Sequence, residues 1–435
     1  IPQIGFVIRG SGSTRPRDGF IELCDPSLKR SEYRPDLRVM SFDIETDGAG
    51  GDVISVAAIC GQDAHVFMVG PGPDTPTIRF EPTERALLVA FFAHVSRVDP
   101  DVLIGWNVVD FDLAHLQRRA EHHRLPLAIG RGSERAAVLL PQREGQVAVA
   151  RVPGRAVIDG IGALKSATYS FESFTLEYVA RELLGRGKAV HDASDRIEEI
   201  QRMYREDPQA LAHYNLEDCR LVAEIFARTD LISFSVERQQ MTGLEMGRLG
   251  GAVAAFDNLY LPRLHRRGRV AHDVGDLVRG ETSPGGYVLQ SDPGLYRNVL
   301  VLDFKSLYPS IIRTFNIDPL GLAVPGDDPI EGFDNARFSR DQHILPDVIA
   351  ELWAQRDQAK RDKNATLSRA VKILMNSFYG VLGTPGCRFS EPRLVSSITR
   401  RGHQIITQSR DFIVERDWPV IYGDTDSLFV HVGDE

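Results

Sequence analysis

The sequence has few cysteines, and their positions exclude two kinds of stabilised fold. The 435 residues include only Cys24, Cys60, Cys219 and Cys387, and no pair has the close spacing of a zinc or redox motif. Neither a disulfide framework nor a zinc knuckle is supported. This cysteine usage fits a reducing, cytosolic setting best.

Long apolar runs and an excess of positive charge are also lacking. The longest apolar run, residues 86–95, is interrupted by His94 and is far shorter than the roughly 18 to 20 residues that span a bilayer. We therefore predict no transmembrane helix. The net charge of −9 excludes a protein that coats nucleic acid by bulk charge, so any site for a polyanion must be local.

What the sequence does contain is material for several folded units. Apolar residues make up 43% and charged residues 26%, as in ordinary globular proteins, and the length predicts about three domains. The chain starts at Ile1 without a leader pattern. We expect a fragment of a longer protein, with the last strands of another domain in residues 1–38.

Apolar patterning predicts a first main unit that ends near residue 230. Short apolar strands alternate there with helices, which is typical of an α/β or mixed three-layer domain. The predicted elements lie at 39–44, 53–60, 65–69, 83–98, 113–123, 173–184 and about 208–227.

A second unit is predicted after a connecting region at 232–299. It should contain a buried strand, a polar insertion, two helices of which the second ends at Gly380, and a β-hairpin. These elements lie at 299–302, 325–342, about 345–363, 367–379 and 420–432.

Two acids occupy one face of the first predicted strand. Asp43 and Glu45 are two positions apart, and alternate residues of a strand point to the same side. Adjacent carboxylates repel unless a cation lies between them, and Mg²⁺ prefers carboxylate oxygens. A lone Asp-x-Glu pair is more often an exposed strand with solvated acids.

Another two acids follow the apolar strand at 102–104. Asp110 or Asp112 lies near the carboxyl end of this strand, where sites in α/β domains usually form. One of the two could instead cap the helix that follows.

The long helix carries a phenol and a carboxylate on one face. Tyr214 and Asp218 are one turn apart. Metal-assisted phosphodiester hydrolysis needs acids that bind ions and a group that orients water, although a Tyr and an Asp at this spacing are common.

The second unit carries acids in two segments that are distant in sequence. Asp303 ends the predicted strand, and Pro309 suits the first turn of a helix whose N–H groups could hold phosphate oxygens. Asp424 and Asp426 lie at the predicted hairpin tip. Each segment alone has an ordinary interpretation as a helix cap or a turn. Together they can supply a second two-ion site.

Two polar stripes lie between these acids on the predicted helices. Their members are Arg356, Lys360 and Lys363 on one face, and Lys372, Asn376 and Tyr379 on another. A solvated charged face is the default interpretation. With acids on either side in sequence, we interpret Arg356, Lys360 and Lys372 as a clamp for a triphosphate.

Taken in their order along the chain, six segments resemble the motifs of the family B DNA polymerases. The resemblance is strongest to the bacterial branch of this family. The segments are 42–46, 107–112 and 214–218 for the nuclease, and 303–312, 372–380 and 422–427 for the polymerase. Weaker similarity lies at 157–185 and in the turn at 283–287. The resemblance spans nearly the whole chain.

The resemblance implies an α/β and α+β multidomain fold, with a ribonuclease H-like 3′-5′ exonuclease domain followed by a partial polymerase palm with helical fingers. The implied domains are an N-terminal remnant (1–38), the exonuclease (39–230), a linker with the first part of the palm (231–324), the fingers (325–385) and the second part of the palm (386–435). The thumb is expected after residue 435. We therefore expect this chain to degrade 3′ ends but to extend primers poorly.

By matching positions, the resemblance also assigns roles to residues. The implied nuclease metal ligands are Asp43, Glu45, Asp112 and Asp218, with Tyr214 orienting water. The implied polymerase metal ligands are Asp303 and Asp426, with Asp424 nearby. The implied nucleotide-binding residues are Phe304, Ser306, Leu307, Tyr308, Arg356, Lys360, Lys372, Asn376 and Tyr379.

The implied activity is template-directed DNA synthesis with 3′-5′ proofreading, in replication or repair. It would use two Mg²⁺ ions per active site, for which Mn²⁺ can substitute. The implied partners are primer–template DNA, deoxynucleoside triphosphates and, as a candidate, a sliding clamp, in the bacterial cytosol or nucleoid and without a membrane.

Three alternatives remain. They are an exonuclease with a degenerate second half, a noncatalytic nucleic-acid-binding fragment, and a protein-primed polymerase. The last should carry an insertion between its first two polymerase motifs, whereas the interval from Ser310 to Lys372 leaves room for the fingers and little else.

Overall fold

The computed structural model describes residues 6–433, apart from 11–13, 18–19, 24–25, 31–33, 49, 133, 142–147, 188–195, 249 and 275–284. Before residue 34, and at 196–197, it describes the backbone alone. The predicted turn at 283–287 is therefore described only from Gly285 onward, and Cys24 lies outside the described side chains. The other three cysteines are free thiols. Within the described ranges, no helix is long and apolar enough to cross a membrane.

The chain divides into two compact units, Ile1–Gly250 and Gly251–Glu435. The boundary predicted near residue 230 lies inside the first unit, which continues through a helix at Leu231–Thr242. The predicted connecting region also holds a helix at Ala252–Arg266, which belongs to the second unit. Both helices bury apolar side chains, so this stretch contributes to folded units.

The first unit opens with two short antiparallel strand pairs. The strands are β1 (Phe6–Gly10), β2 (Thr14–Arg17), β3 (Phe20–Leu23) and β4 (Pro26–Arg30). β1 pairs with β4 and β2 pairs with β3. Strands are thus present in residues 1–38, as the apolar alternation predicted.

A six-stranded mixed sheet forms the centre of the first unit. Its strand order is β12-β9-β5-β6-β7-β8, and β10 and β11 form a separate pair. The bounds are β5 (Val39–Thr46), β6 (Val53–Cys60), β7 (Asp63–Val69), β8 (Ile78–Glu81), β9 (Val102–Gly105), β10 (Ala137–Leu139), β11 (Val149–Arg151) and β12 (Ala156–Asp159). β5 is parallel to β9 and antiparallel to β6. The strands predicted at 39–44, 53–60 and 65–69 are confirmed as β5, β6 and β7.

Helices cover both faces of this sheet. They are α1 (Glu84–Val98), α2 (Ala114–His122), α3 (Gly160–Ser166), α4 (Leu176–Leu184), α5 (Arg196–Glu206), α6 (Pro208–Thr229) and α7 (Leu231–Thr242), with a π-helical turn at Val109–Leu113. On one face, Phe91 of α1 shares a core cluster with Phe42 of β5. On the other face, Leu211 of α6 shares a second cluster with Ile54 of β6. The mixed α/β arrangement in layers is as predicted.

Local sequence fixes where the two flanking helices begin. The Thr83 hydroxyl accepts a hydrogen bond from the N–H of Ala86 at 3.2 Å and caps α1. Asp207 caps α6 by accepting from the N–H of Ala210 at 3.0 Å, and Pro208 occupies the first turn, where a missing N–H costs nothing. The Asp207 cap thus sets the start of α6, the helix that faces the acids of β5.

The second unit combines helices with a three-stranded antiparallel sheet of order β13-β17-β16. Its helices are α8 (Ala252–Arg266), α9 (Leu307–Thr314), α10 (Pro319–Ala323), α11 (Leu345–Arg361), α12 (Ala365–Leu382) and α13 (Pro392–Val414). Its strands are β13 (Val299–Asp303), β14 (Ile330–Glu331), β15 (Arg337–Phe338), β16 (Val420–Asp424) and β17 (Ser427–His431). The predicted hairpin at 420–432 is confirmed by the pairing of β16 with β17.

The prediction of a buried strand at 299–302 is wrong. Leu300, Val301 and Leu302 of β13 are 53%, 56% and 46% exposed. α13 packs against β16 and β17, and β13 lies at the edge of the sheet. An apolar run predicts a strand, whereas its burial depends on which element packs over it.

Two predicted details of the helices are also wrong. α12 continues through Gly380 to Leu382, because buried Phe378 and Val381 carry its packed face past the glycine. Lys363 lies beyond the end of α11 and has a φ of 55°. It therefore does not share a helical face with the basic residues of α11.

Candidate active sites

The acids of β5 point away from the core cluster that contains α1. Phe42 and Ile44 belong to that cluster, and the alternation of a strand places Asp43 and Glu45 on the opposite face. Asp43 pairs with Ala57 and Glu45 with Ser55 on the neighbouring strand β6. The predicted common face of the two acids is thus confirmed, and it is the face that α6 covers.

α6 brings a third carboxylate to this face. One oxygen from each of Asp43, Glu45 and Asp218 lies within 4.8 Å of the other two. Glu45 is 7% and Asp218 1% exposed. Three acids from two elements far apart in sequence therefore meet in a largely buried position.

Asp112 joins the same region through the π-helical turn. It is 2% exposed, and its Oδ1 accepts a hydrogen bond from the N–H of Ile44 at 3.1 Å. Burial, and next the charge of Asp43, raise the pKa of Asp112 well above its ordinary value. Asp110 is exposed, so the structure separates two acids that the sequence left as alternatives.

Tyr214 lies on the same helix as Asp218 and is 3% exposed. Its side chain belongs to the core cluster between α6 and the sheet. The structure therefore places Tyr214 and Asp218 on one face of α6, as their spacing predicted, and packs this face against the sheet.

Two polar residues near these acids had no role in the sequence analysis. Asn215 and Ser55 are both fully buried, and the Asn215 amide lies 2.9 Å from the Ser55 hydroxyl. Asn215 sits inside the 214–218 segment, so its position in that segment was the available signal. Ser55 gives no such signal because it lies in an apolar strand.

The donor set of these acids fits a hard divalent cation. Carboxylate oxygens are the ligands that Mg²⁺ and Mn²⁺ prefer, and buried carboxylates at this spacing repel one another unless a cation or a proton compensates them. The raised pKa of Asp112 reflects its burial first and this repulsion by Asp43 second.

A second group of ligand-type side chains in the first unit is an ion-pair network. Asp63, His65 and His94 lie close together, and the Arg97 guanidinium lies 2.9 Å from His94 Nδ1 and 3.2 Å from Asp63 Oδ2. His65 Nε2 lies 2.6 Å from Asp63 Oδ1. Arg97 already supplies the positive charge that Asp63 needs, so we assign no metal to this group.

In the second unit, the β13–β17 pairing brings Asp303 to the hairpin. Asp303 pairs with Ser427, and the Ser427 hydroxyl donates to Asp303 Oδ2 at 3.1 Å. The N–H of Phe304 donates to the carbonyl of Asp426 at 2.8 Å. Burial, then Asp303 and Asp424, raise the pKa of Asp426, and Lys372 opposes this shift.

Asp424 has a different environment. It is exposed and accepts a hydrogen bond from the Thr425 hydroxyl at 2.8 Å. Thr425 has a φ of 50°, a strained left-handed conformation of the kind that clusters at functional turns. The hairpin tip thus leaves Asp424 exposed, and the charges of both Asp303 and Asp424 act on Asp426.

Tyr308 and Tyr379 form an aromatic pair beside these acids. Their ring centroids are 4.5 Å apart, and a Cβ on Gly402 of α13 would lie 3.4 Å from the Tyr308 ring. Burial, followed by Tyr379 and Asp426, raises the pKa of Tyr308 to about 12. The phenol is therefore neutral at physiological pH and is held between two helices.

The predicted clamp residues have varied positions. Arg356 Nη1 donates to the Ser306 hydroxyl at 3.3 Å, and Ser306 starts α9 with a φ of 52°. The other two clamp residues, Lys360 and Lys372, are exposed, and so is Asn376. Lys363 is also exposed and lies beyond the end of α11.

A segment before β13 extends the sheet beside the hairpin. The N–H of Leu289 donates to the carbonyl of Gly423 at 2.8 Å. The N–H of Thr425 donates to the carbonyl of Tyr287 at 2.9 Å. A Cβ on Gly286 would lie 2.2 Å from the Thr425 hydroxyl. A side chain at position 286 would therefore collide with Thr425 unless Thr425 moved, which explains Gly286, whereas a Cβ on Gly285 would contact nothing.

Two family models match the chain. The model for DNA polymerase family B, exonuclease domain, matches residues 21–179, and the model for DNA polymerase family B matches residues 256–435. These matches together cover more than half of the chain.

Relatives named as DNA polymerases align along nearly its whole length. The chain is 51% identical to DNA polymerase II of Escherichia coli (strain K12), over 92% of this chain and 52% of that protein. It is 29% identical to the DNA polymerase of Thermococcus gorgonarius, over 94% of this chain and 55% of that protein. The chain spans about half the length of these relatives. On these matches, it belongs to the family B DNA polymerases.

Proposed function

We propose that the chain carries a template-directed DNA polymerase with a 3′-5′ proofreading exonuclease, for DNA replication or repair. The observation that carries this proposal is the close group of Asp43, Glu45 and Asp218 in a chain whose second unit also joins Asp303 to the Asp426 segment. The family match supports both activities.

The first unit hydrolyses a 3′-terminal phosphodiester in this proposal. Asp43, Glu45, Asp112 and Asp218 would hold divalent cations, with Mg²⁺ the expected ion. When bound, such cations lower the pKa of water and stabilise charge on phosphate. The protein's part is to hold the carboxylates on a rigid strand and helix, while Tyr214 orients the attacking water.

The second unit transfers deoxynucleotides to a primer 3′ end. Asp303 and Asp426 would hold divalent cations for the triphosphate, and the backbone at residues 304–308 would contact its oxygens through N–H groups other than that of Phe304, which donates to Asp426. Its negatively charged phosphate groups would be contacted by Arg356, Lys360, Lys372 and Asn376. Asp424 would lie near the two metal-binding acids. Tyr308, packed against Tyr379 with the two rings tilted at 43°, would face the sugar.

The finer fold and setting belong to the same proposal. The six-stranded mixed sheet with helices on both faces supports a ribonuclease H-like exonuclease, and the three-stranded sheet with the α11–α12 pair supports a palm with helical fingers. The proposed domain limits are 39–230, 231–324, 325–385 and 386–435. The substrates would be primer–template DNA and deoxynucleoside triphosphates, with a sliding clamp as a candidate partner in a bacterial cytosol.

A primed-template assay in Mg²⁺, with and without deoxynucleotides, tests the two activities separately. Because the chain spans about half the length of its relatives, extension is measured with the full-length protein. Asp43→Ala should abolish degradation, because a shared ligand is lost, and should leave extension. Asp303→Ala should abolish extension and leave degradation. Near-wild-type degradation by Asp43→Ala would refute the nuclease assignment, and unchanged extension by Asp303→Ala would refute the polymerase assignment.

One observation favours exonuclease activity alone as a second candidate. Asp43, Glu45 and Asp218 each place an oxygen within 4.8 Å of the other two, whereas among the described residues no group of three ligand atoms this close includes Asp303, Asp424 or Asp426. Degradation without any extension by the full-length protein, whatever the nucleotide concentration, would select this candidate. Retention of DNA without either reaction would instead indicate a binding fragment.

A further inference from the structure

A buried amide connects the sheet to an acid of the first unit. Asn215 of α6 and Ser55 of β6 are both 0% exposed. One end of the Asn215 amide lies 2.9 Å from Ser55 Oγ, and the other end lies 3.2 Å from Asp43 Oδ2 and 3.3 Å from the Asp43 carbonyl oxygen. Asn215 therefore bridges two strands at the acidic group.

The chemistry of its neighbours fixes the orientation of this amide. A carboxylate and a carbonyl oxygen only accept hydrogen bonds, whereas a hydroxyl can donate. The amide nitrogen must therefore face Asp43 and donate to it, and the amide oxygen accepts from the Ser55 hydroxyl. In this orientation every polar atom of the bridge has a partner, as buried polar groups require.

The bridge acts on a carboxylate that its surroundings would otherwise displace. Glu45, Asp112 and Asp218 bring three further acids toward Asp43, and like charges at this distance repel. A donated hydrogen bond stabilises the ionised carboxylate and fixes which oxygen faces the other acids. An amide does so without a positive charge that would compete with a bound cation.

We propose that Asn215, held by Ser55, is a positioning residue that orients Asp43 for divalent-cation binding. This inference rests on the proposed exonuclease function of the first unit. Partners that orient metal ligands typically change metal affinity by about 10- to 100-fold. The loss should therefore appear in cation affinity, and only weakly in the rate at saturating cation.

The test is a titration of the whole chain with Mn²⁺, followed by the electron paramagnetic resonance signal of free Mn²⁺. An Asp303→Ala background removes a proposed ligand of the second unit, so that the titration reports the first. Asn215→Ala should weaken Mn²⁺ binding about tenfold or more, and Ser55→Ala should weaken it less. The double variant should match Asn215→Ala alone, because Ser55 acts only through the amide.

Cys219→Ala is the matched control. Cys219 lies one turn after Asn215 on α6 and is equally buried. Its thiol contacts the carbonyl of Ala57 at 3.5 Å, and Ala57 lies on β6, the strand of Ser55. Burial raises the pKa of this thiol well above its ordinary value, so the substitution removes packing but no charge. It should leave Mn²⁺ affinity unchanged. Thermal denaturation of each variant shows which ones fold. If Asn215→Ala does not fold, the Mn²⁺ affinity of Ser55→Ala still tests the proposal.

A second readout uses hydrolysis of single-stranded DNA. The Mg²⁺ concentration for half-maximal rate should rise in Asn215→Ala by the same factor as the Mn²⁺ dissociation constant. Equal shifts in Asn215→Ala and Cys219→Ala, or wild-type Mn²⁺ binding by Asn215→Ala, would overturn the proposal. If the parent chain binds Mn²⁺ but does not hydrolyse DNA, the proposed function fails while the titration still decides the role of Asn215. If the parent binds no Mn²⁺, both are refuted.

Discussion

The N–H of Ile44 donates a hydrogen bond to Asp112 Oδ1 at 3.1 Å, across 68 positions of sequence. This bond ties the π-helical turn to the strand that carries Asp43 and Glu45. It also distinguishes Asp112 from Asp110, which is exposed. The two acids are therefore a matched pair for testing the composition of the site.

Asp112→Asn should lower 3′-end hydrolysis by more than about 100-fold, since loss of a ligand should exceed the 10- to 100-fold effect of losing an orienting partner. Asp110→Asn should retain near-wild-type hydrolysis. Asp112→Asn should not lower the unfolding temperature, because it removes a buried charge beside Asp43. Rates on single-stranded DNA and thermal denaturation provide the two measurements. Equal losses in both variants would mean that Asp112 is not a ligand.

In the full-length protein, Tyr308→Ala should increase the use of ribonucleotides in primer extension. The ring is fixed by Tyr379 at 4.5 Å, and in the proposed site it leaves no room for a 2′-hydroxyl. The measurement is the ratio of kcat/KM for a deoxynucleotide to that for the matching ribonucleotide. Hydrolysis of single-stranded DNA by the same preparation should be unchanged. A ratio equal to that of the parent would refute the steric role.

His94 should make the first unit less stable in mild acid. Burial, followed by the charges of His65 and Arg97 and opposed by Asp63, lowers its pKa from 6.5 to about 4. Between these values the unfolded chain binds a proton that the folded chain does not, so stability falls as the pH drops through this window. At about 1.4 kcal/mol per pKa unit, the loss is about 3 kcal/mol at most.

The matched variant for this effect is His94→Leu. The free energy of unfolding of the first unit should fall less between pH 7 and pH 5 in this variant than in the parent, because the titrating ring is gone. Other acids titrate equally in both proteins and cancel in the difference. Identical pH dependence in the two proteins would show that His94 is not the cause.

Asp318 should be important for the stability of the second unit. It is 0% exposed, and its carboxylate accepts from the N–H groups of Gly321, Ile344 and Leu345 and from the Tyr260 hydroxyl, at 2.7 to 3.0 Å. Asp318→Ala should cost about 3 kcal/mol, because several buried donors lose their partner. Tyr260→Phe removes one donor to Asp318 and the acceptor of the Leu320 N–H, and should cost less, about 1.5 kcal/mol. Denaturant unfolding measures both, and similar costs would contradict the shared role of the carboxylate.

The sequence by itself determined the positions of the main elements and of the acidic segments. The alternation of apolar residues located β5, β6 and β7, and capping residues such as Thr83 and Asp207 mark where α1 and α6 begin. These signals are local, because strand period and helix caps depend on residues a few positions apart. The common face of Asp43 and Glu45 follows from the same period.

Only the tertiary structure decided which of these residues meet. The packing of α6 across β5 and β6 brings Asp218 to Asp43 and places Asn215 between Ser55 and Asp43, and the π-helical turn selects Asp112 over Asp110. In the second unit, strand order leaves β13 exposed although its sequence is apolar. Such outcomes depend on contacts between segments far apart in the chain, and no local pattern encodes those distances or the element that covers a given face.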